Sequence, residues 1–529
     1  MASPAHDGVR PLKRRRLNHA CDRCRTRKIR CDDRQPECGN CLKAKAICTT
    51  RDARNHTFVT RHEAQRRPES SVGTPATANS LPSPARRGRL NNSEEQEIDV
   101  HPPGHGTAAA RLPAFPRFIN GNSVYILAQW LDLAFARLNH TFSLSHVFVK
   151  SKGQLAAGPP GDGTGQGALS NEHRGKALEQ FLATVHCVFT IFPAYFWSHL
   201  MSQVHDDATL HCTLSHLIIA VGGNAASRSS LSNAFSNLGV LVQAANLESL
   251  AALTLMVIIL RGQEDSERAL HILSIASSIA HTLGLHRRTP SFNEEHISLW
   301  WTLYALDKAL AIELERPIII KSQDCDQQRP ADGSMLSAIV ELACIQEVIV
   351  ERMFQERHVE ESPDQTLQEI IVHKMRMAGE LDTMLLEWHA TLAMSMRPAE
   401  HLFCEEEDLP AVSYLALQYF QTAFLVHRNS LITNRRHVRS IADSVFVDEA
   451  YRLRLRNGPF ICYGIAKSII TVLGRTYDTY GLSILNSVHA PLIAAIGLAI
   501  HIFKHANSSA VKADLEVRCR SNPSSQAGN

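Results

Sequence analysis

From about Tyr125 onward the apolar positions recur at helical spacing. Ile126, Leu127, Trp130, Leu131, Ala134, Phe135 and Leu138 form a broad i, i+4 stripe between Tyr125 and Asn139. The same pattern predicts helices at about Glu172–Phe189, Leu210–Val221, Leu231–Ala244, Leu247–Leu260 and Ser266–Leu283. Gly284 reads as the C′ residue of the last of these, and Ser291 with Glu294 as a capping box that opens the next. That helix runs through Trp300, Trp301, Tyr304 and Leu306 until Arg316-Pro317 stops it. Strand signals are scarce, so the expected class is mostly α. The apolar runs Leu250–Leu260 and Ala490–Phe503 fall short of the ~20 residues that span a bilayer, and the second contains His501. They read as buried helices, with no membrane partner expected. Trp130, Trp300 and Trp301 read as helix-packing core residues.

Upstream the pattern dissolves. Between Thr49 and Ser123, Pro68, Pro75, Pro82, Pro84, Pro102 and Pro103 punctuate a stretch rich in Ser, Arg, Asn and Gly, the composition of a linker. Within Thr49–Ser70 the apolar residues are Ala53, Phe58, Val59 and Ala64, which make no a/d seam. A strong coiled coil is therefore not expected here, and any homodimer should be weak. Gly161 to Gly167 lies in a Pro/Gly-rich stretch with no preceding strand and reads as loop. The organisation is thus a basic arm at 1–17, a compact module at 18–50, a flexible linker at 51–123, a helical domain at 124–506 with a loop at 151–169, and a disordered tail at 507–529.

Composition supports folding of most of the chain: 529 residues, 44% hydrophobic and 20% charged. Met1 to Leu17 has no apolar h-region, so an intracellular location is expected. The net charge of +3 conceals a segregation. Arg10 to Cys48 carries thirteen Lys and Arg against four acids, +9 in 39 residues, and the rest of the chain sums to −6.

The same segment concentrates the cysteines. Cys21, Cys24, Cys31, Cys38, Cys41 and Cys48 are spaced C-x2-C-x6-C-x6-C-x2-C-x6-C, one unit given twice. Cys187, Cys212, Cys325, Cys344, Cys404, Cys462 and Cys519 are scattered and read as ordinary buried thiols. In a reducing compartment, metal explains the cluster better than disulfides. Zinc takes four thiolates at ~2.3 Å, so two ions with private ligands would need about eight sulfurs. Six suffice if two thiolates bridge, and the repeat makes Cys21 and Cys38, which open the two units, the natural bridges. One ion then takes Cys21, Cys24, Cys31 and Cys38, and the other Cys38, Cys41, Cys48 and Cys21. Neither keeps an open position, so both zinc ions are structural.

Through His19-Ala20-Cys21-Asp22-Arg23-Cys24-Arg25-Thr26-Arg27-Lys28-Ile29-Arg30-Cys31 and Gln35-Pro36-Glu37-Cys38, the chain resembles the fungal binuclear zinc-cluster transcription factors. The resemblance implies short helices after Cys21 and after Cys38, the first entering the major groove of double-stranded DNA. Lys28 matches the family's base-reading lysine, which implies CGG-like triplets. Arg25, Arg27 and Arg30 would mostly hold phosphates. Lys13, Arg14, Arg15 and Arg16 suit a nuclear import signal or a phosphate-binding arm, the bland alternative being a solubilising tail.

Ala276 to Arg288, Trp300-Trp301, Asp307 and Glu315-Arg316-Pro317 resemble the fungal-specific transcription factor domain, over roughly residues 125 to 505. Two departures stand out: Ile297 and Ser298 replace the usual arginines before the aromatic pair, and Glu315 replaces the glycine of a Gly-Arg-Pro turn. Zinc-deaminase, HExxH, Walker, G-x-S-x-G and dinucleotide signatures do not occur, which argues against an enzyme. Acidic Glu405-Glu406-Glu407-Asp408 and Glu94-Glu95-Gln96-Glu97 read as lacking aromatic partners for an activation segment.

The expectation is a nuclear, zinc-dependent regulator of RNA polymerase II transcription, partnered by DNA and by transcription machinery or co-regulators. A pathway-specific role in a secondary-metabolite gene cluster leads. Control of carbon or nitrogen utilisation is the alternative, and a zinc enzyme or small-molecule-binding protein the remote one.

Overall fold

Cys38 caps a five-residue helix, α1 (Gly39–Lys43), its sulfur accepting from the Cys41 amide at 3.4 Å. Beyond it, β1 (Thr49–Arg51) pairs antiparallel with β2 (Phe58–Thr60), Thr50 opposite Val59. This ribbon falls in the stretch expected to be linker from Thr49. Three-residue strands are too short for apolar alternation to announce them. The computed structural model describes residues 24, 27, 29, 31, 38–44, 49–51, 58–60, 124–140, 143–145, 171–203, 210–221, 225–263, 265–355, 366–480, 485 and 487–506. They divide into two units, Met1–Ser93 and Glu94–Asn529. The loop at 161–167 and the tail from 507 lie outside the described residues.

The larger unit is helical: α2 (Val124–Arg137), α3 (Asn171–Phe181) continuing into a π turn (Leu182–His186), α4 (Ala194–Ser202), α5 (Leu210–Val221), α6 (Ala225–Ser236), α7 (Leu238–Ala244), α8 (Leu247–Gly262), α9 (Ser266–Thr282), α10 (Glu294–Leu314), α11 (Met335–Gln355), α12 (Leu367–Thr391), α13 (Leu409–His427), α14 (Arg435–Val445), α15 (Arg452–Arg456), α16 (Gly458–Tyr480) and α17 (His489–Lys504). One hydrophobic cluster runs from Val124 to Ile500. Three helices are buried on every side over most of their length, α8 from Ser249, α10 from Leu299 and α13 throughout, and the amphipathic helices pack around them. Leu409–Leu431 is apolar and long enough to cross a membrane, but 94% of its apolar window is buried in the protein, which marks it as a core helix. A smaller cluster, Met375, Val438, Ile441, Ala442, Phe446, Tyr451 and Leu455, seats α14 and α15 on α12.

The helix ends follow local chemistry. Asn246 and Ser249 form a capping box at α8, and Thr366 and Glu369 form another at α12. Gly284 follows α9 at φ +73°, the C′ role read from the sequence. At α10 the cap is Asn293, which accepts from the His296 amide, and not the Ser291 expected. The pattern over Leu231–Ala244 is two helices, broken at Asn237, whose amide reaches Thr213 Oγ1 at 2.9 Å.

Trp300 and Trp301 are core residues, as expected, and their indole N–H groups donate to Cys325 Sγ and to the Gln328 carbonyl. About two turns on, Asp307 accepts the amides of Ile319 and Ile320, and Lys308 donates to Asp307 at 2.8 Å and to the Ile320 carbonyl. Glu347 completes the cluster, accepting from Tyr304 at 2.6 Å and from Ser322. Burial opposes the Glu347 charge, yet the Tyr304 hydroxyl, Lys308 and Ser322 hold its pKa below the ordinary value. Asp307, singled out in the sequence motif, therefore anchors the chain after the Pro317 turn.

Candidate zinc and nucleic-acid site

Four of the six clustered cysteines are described: Cys24, Cys31, Cys38 and Cys41. Cys24, Cys38 and Cys41 are fully buried, and Cys31 packs against them. The Sγ atoms of Cys24 and Cys38 stand 3.7 Å apart, and the three buried sulfurs lie within 4.8 Å of one another. Two sulfurs on a tetrahedron with ~2.3 Å zinc bonds are separated by about 3.8 Å, so the Cys24–Cys38 spacing fits one shared ion. Fourteen residues separate them in sequence, so the close approach is tertiary.

Local structure supports anionic sulfur. Cys38 is extended before α1, at φ −68° and ψ 152°, and its sulfur takes the place of an oxygen N-cap. Asn40 Nδ2 reaches Cys24 Sγ at 4.0 Å across the two repeat units. Sequence reading missed Asn40. Its only sequence signal is its place in the first turn after a capping cysteine, where polar hydrogens converge on thiolate charge.

Cys24 is helical, and the Ile29 amide donates to its carbonyl at 3.0 Å. Arg27 is exposed, and Ile29 is 43% exposed beside it, which turns this short segment outward. Lys43 closes the last turn of α1 on the surface. Cys21 and Cys48 lie outside the described residues, as do Arg25, Lys28, Arg30 and the arm Lys13, Arg14, Arg15 and Arg16.

Comparisons with known proteins agree with this geometry. A family model for the fungal Zn(2)-Cys(6) binuclear cluster domain matches residues 19–57, and one for the fungal specific transcription factor domain matches residues 208–366. The first extends past the α1 segment into the ribbon loop. Among curated relatives, a transcriptional regulatory protein of Schizosaccharomyces pombe is 22% identical over 97% of this chain and 74% of its own length. An ABC-transporter-regulating transcription factor of Aspergillus oryzae is 20% identical over 79% of this chain, which spans 60% of that relative. A citrinin biosynthesis transcriptional activator of Monascus ruber is 44% identical over 57 residues, 10% of this chain. No solved structure matches. The matched families and relatives are transcription regulators and not enzymes.

Proposed function

We propose, from the premise that this chain carries a fungal binuclear zinc-cluster domain joined to a fungal specific transcription factor domain, that it is a nuclear regulator of RNA polymerase II genes that reads CGG-like triplets. The cluster domain binds two zinc ions and the chain is a DNA-binding transcription regulator. The observation that carries the finer reading is the 3.7 Å Cys24–Cys38 contact, which supports an ion shared between the two repeat units. In this reading Cys21 and Cys38 bridge, and Cys24, Cys31, Cys41 and Cys48 complete the two tetrahedra. The zinc supplies rigidity alone: it holds a segment too small to fold unaided.

The chain's own groups do the reading. Lys28 meets guanine O6 and N7, while Arg25, Arg27 and Arg30 grip phosphates on either side of the groove. Lys13 to Arg16 adds backbone attraction or an import address. The likeness to the citrinin activator supports a secondary-metabolite gene cluster as the target. That likeness covers 57 residues, 10% of this chain, whereas the likeness to the ABC-transporter regulator covers 79% of it, which favours control of transporter genes as a second reading.

Gel shifts over a library of triplet-containing duplexes test the reading. Lys28→Ala should lose ~1–3 kcal/mol of base discrimination. Arg27→Ala should weaken binding to all sequences and lower the salt slope by about one. Equal binding of every duplex by the wild type and by Lys28→Ala would refute it. Transcript profiling after deletion separates a contiguous gene cluster from dispersed transporter genes.

A further inference from the structure

We infer that the cleft where α9 meets the chain after Pro317 binds a small neutral molecule bearing adjacent hydroxyl groups, a sugar or polyol. The cleft has a volume of about 570 Å³ and is lined by Ser274, Ser277, Ser278, His281 and Thr282 of α9 and by Ile319. The five α9 residues stand at i, i+3, i+4, i+7 and i+8, which sets them on one face of the helix. The aliphatic wall is fixed in place. Ile318 and Ile320 are buried, Ile319 between them is 37% exposed, and both oxygens of Asp307 accept its amide, at 3.0 and 3.1 Å. A wall formed in advance lowers the entropy lost on binding.

Ser277 points to a ligand. It is only 3% exposed, it lines the cleft, and its hydroxyl has no hydrogen-bond partner among the described residues. A buried hydroxyl left unpaired is costly, and the cleft is where a partner can reach it. Its neighbours complete a mixed set of donors and acceptors. Ser274 Oγ donates to the Leu270 carbonyl and Thr282 Oγ1 to that of Ser278, each at 2.9 Å, which leaves both oxygens lone pairs with which to accept. His281 Nδ1 lies 2.7 Å from the Ser277 carbonyl; a carbonyl only accepts, so Nδ1 carries the proton and Nε2 is the acceptor of the neutral ring. That ring stands edge-on to Trp300, with centroids 5.4 Å apart. The ring of His286 lies 4.9 Å from it, and His286 Nδ1 is also buried without a partner among the described residues.

This set disfavours a charged ligand. Among the described residues, no carboxylate, ammonium or guanidinium lines the cleft. An anion only accepts, so it would face the lone pairs of Ser274 and Thr282 at the negative end of the α9 dipole. A cation would find no counter-charge. A hydroxyl both donates and accepts, so adjacent hydroxyls satisfy Ser277 and the acceptors around it together, while the C–H face of the same molecule covers Ile319. The cleft is built from the Ala276–Arg288 motif and the Pro317 turn, and the inference stands apart from how the cluster reads DNA.

Calorimetric titration of the full chain with glucose, sorbitol and myo-inositol tests this, with inorganic phosphate and putrescine as charged controls. At least one of the three hydroxylated probes should bind saturably and raise the melting temperature as it does so. Ser277→Ala should weaken that binding by about tenfold or more. Ser278→Trp, at an exposed position, should fill the cleft and abolish it. Both variants should keep the wild-type helical circular dichroism, which separates the loss from a folding defect. Absence of saturable binding by all three probes overturns the inference, as does Ser277→Ala binding as tightly as the wild type. A melting temperature that climbs linearly with probe concentration, equally in Ser278→Trp, is exclusion of the probe from the protein surface and overturns it too. So does tighter binding of phosphate or putrescine than of any hydroxylated probe.

Discussion

Arg428 Nη1 donates to Glu315 Oε1 at 2.7 Å inside the helical unit, and that carboxylate belongs to a residue whose backbone is left-handed at φ +55°. The same oxygen accepts the amide of Val124, the first residue of α2, at 3.0 Å. Glycine would sit at this C-cap without strain, since a left-handed non-glycine residue costs ~1–2 kcal/mol. The carboxylate compensates by joining three distant parts of the chain. Glu315→Gly should relieve the strain but leave a buried guanidinium without its counter-charge, a loss of ~3–5 kcal/mol. The net expectation is destabilisation by about 1–4 kcal/mol in urea titration, with faster amide exchange in α2. Adding Arg428→Met should recover part of it. A stabilised Glu315→Gly protein would show that the pair contributes less than the strain.

Asp382 is buried between His427 and Arg454, accepting from His427 Nε2 at 2.8 Å and from Arg454 Nη2 at 2.9 Å. Burial alone would raise its pKa, but the two donors hold it down to about 2 against an ordinary 3.8. The folded value is depressed, so the contribution is complete above the unfolded pKa and is lost as pH falls through the folded one. It amounts to about 2 kcal/mol at neutral pH. Asp382→Asn should therefore unfold earlier in urea at pH 7, with its deficit shrinking as pH falls from about 4 to about 2. A deficit that stays constant across that window would assign the loss to packing.

Helices were legible where the apolar period ran long, as at Leu210–Val221, predicted with the ends observed. Ends were less legible where competing caps stood close together: Ser291 and Asn293 are both good N-caps, and only the packing of α10 selects the second. The strand pair at Thr49–Thr60 was invisible because pairing, not local pattern, defines it. At the site, the spacing of six cysteines carried the zinc chemistry outright. The contact of Asn40 with the Cys24 sulfur was not legible, because it depends on how the two repeat units meet. Glu315 could be flagged as unusual from sequence, but its partner Arg428 lies 113 residues away.

Two helical glycines should respond oppositely to the same substitution. A Cβ on Gly379 of α12 would press into the Tyr451 ring, 2.7 Å from its Cγ, whereas one on Gly464 of α16 meets nothing within 4 Å. Gly379→Ala must displace Tyr451 from the small cluster that seats α14 and α15, a cost of about 1–3 kcal/mol. Gly464→Ala should stabilise by up to about 1 kcal/mol, because alanine loses less backbone entropy in a helix. Thermal melts of the two variants give the signs directly.

Cys38 and Cys24 should differ in how much zinc their loss releases. Cys38 lies within 4.8 Å of both other buried sulfurs, and its own sulfur stabilises α1 as N-cap. If it bridges, Cys38→Ser removes a ligand from both ions, and metal content should fall from about two zinc ions per chain to well below one. Cys24→Ser removes a ligand from one ion only and should leave about one zinc bound. Metal analysis of the purified full chain reads the difference, and chelation of the wild type should abolish duplex binding while the helical circular dichroism persists. Equal zinc loss in the two variants would remove the distinction between bridging and terminal sulfur and would leave the repeat as two copies of an equivalent ligand set.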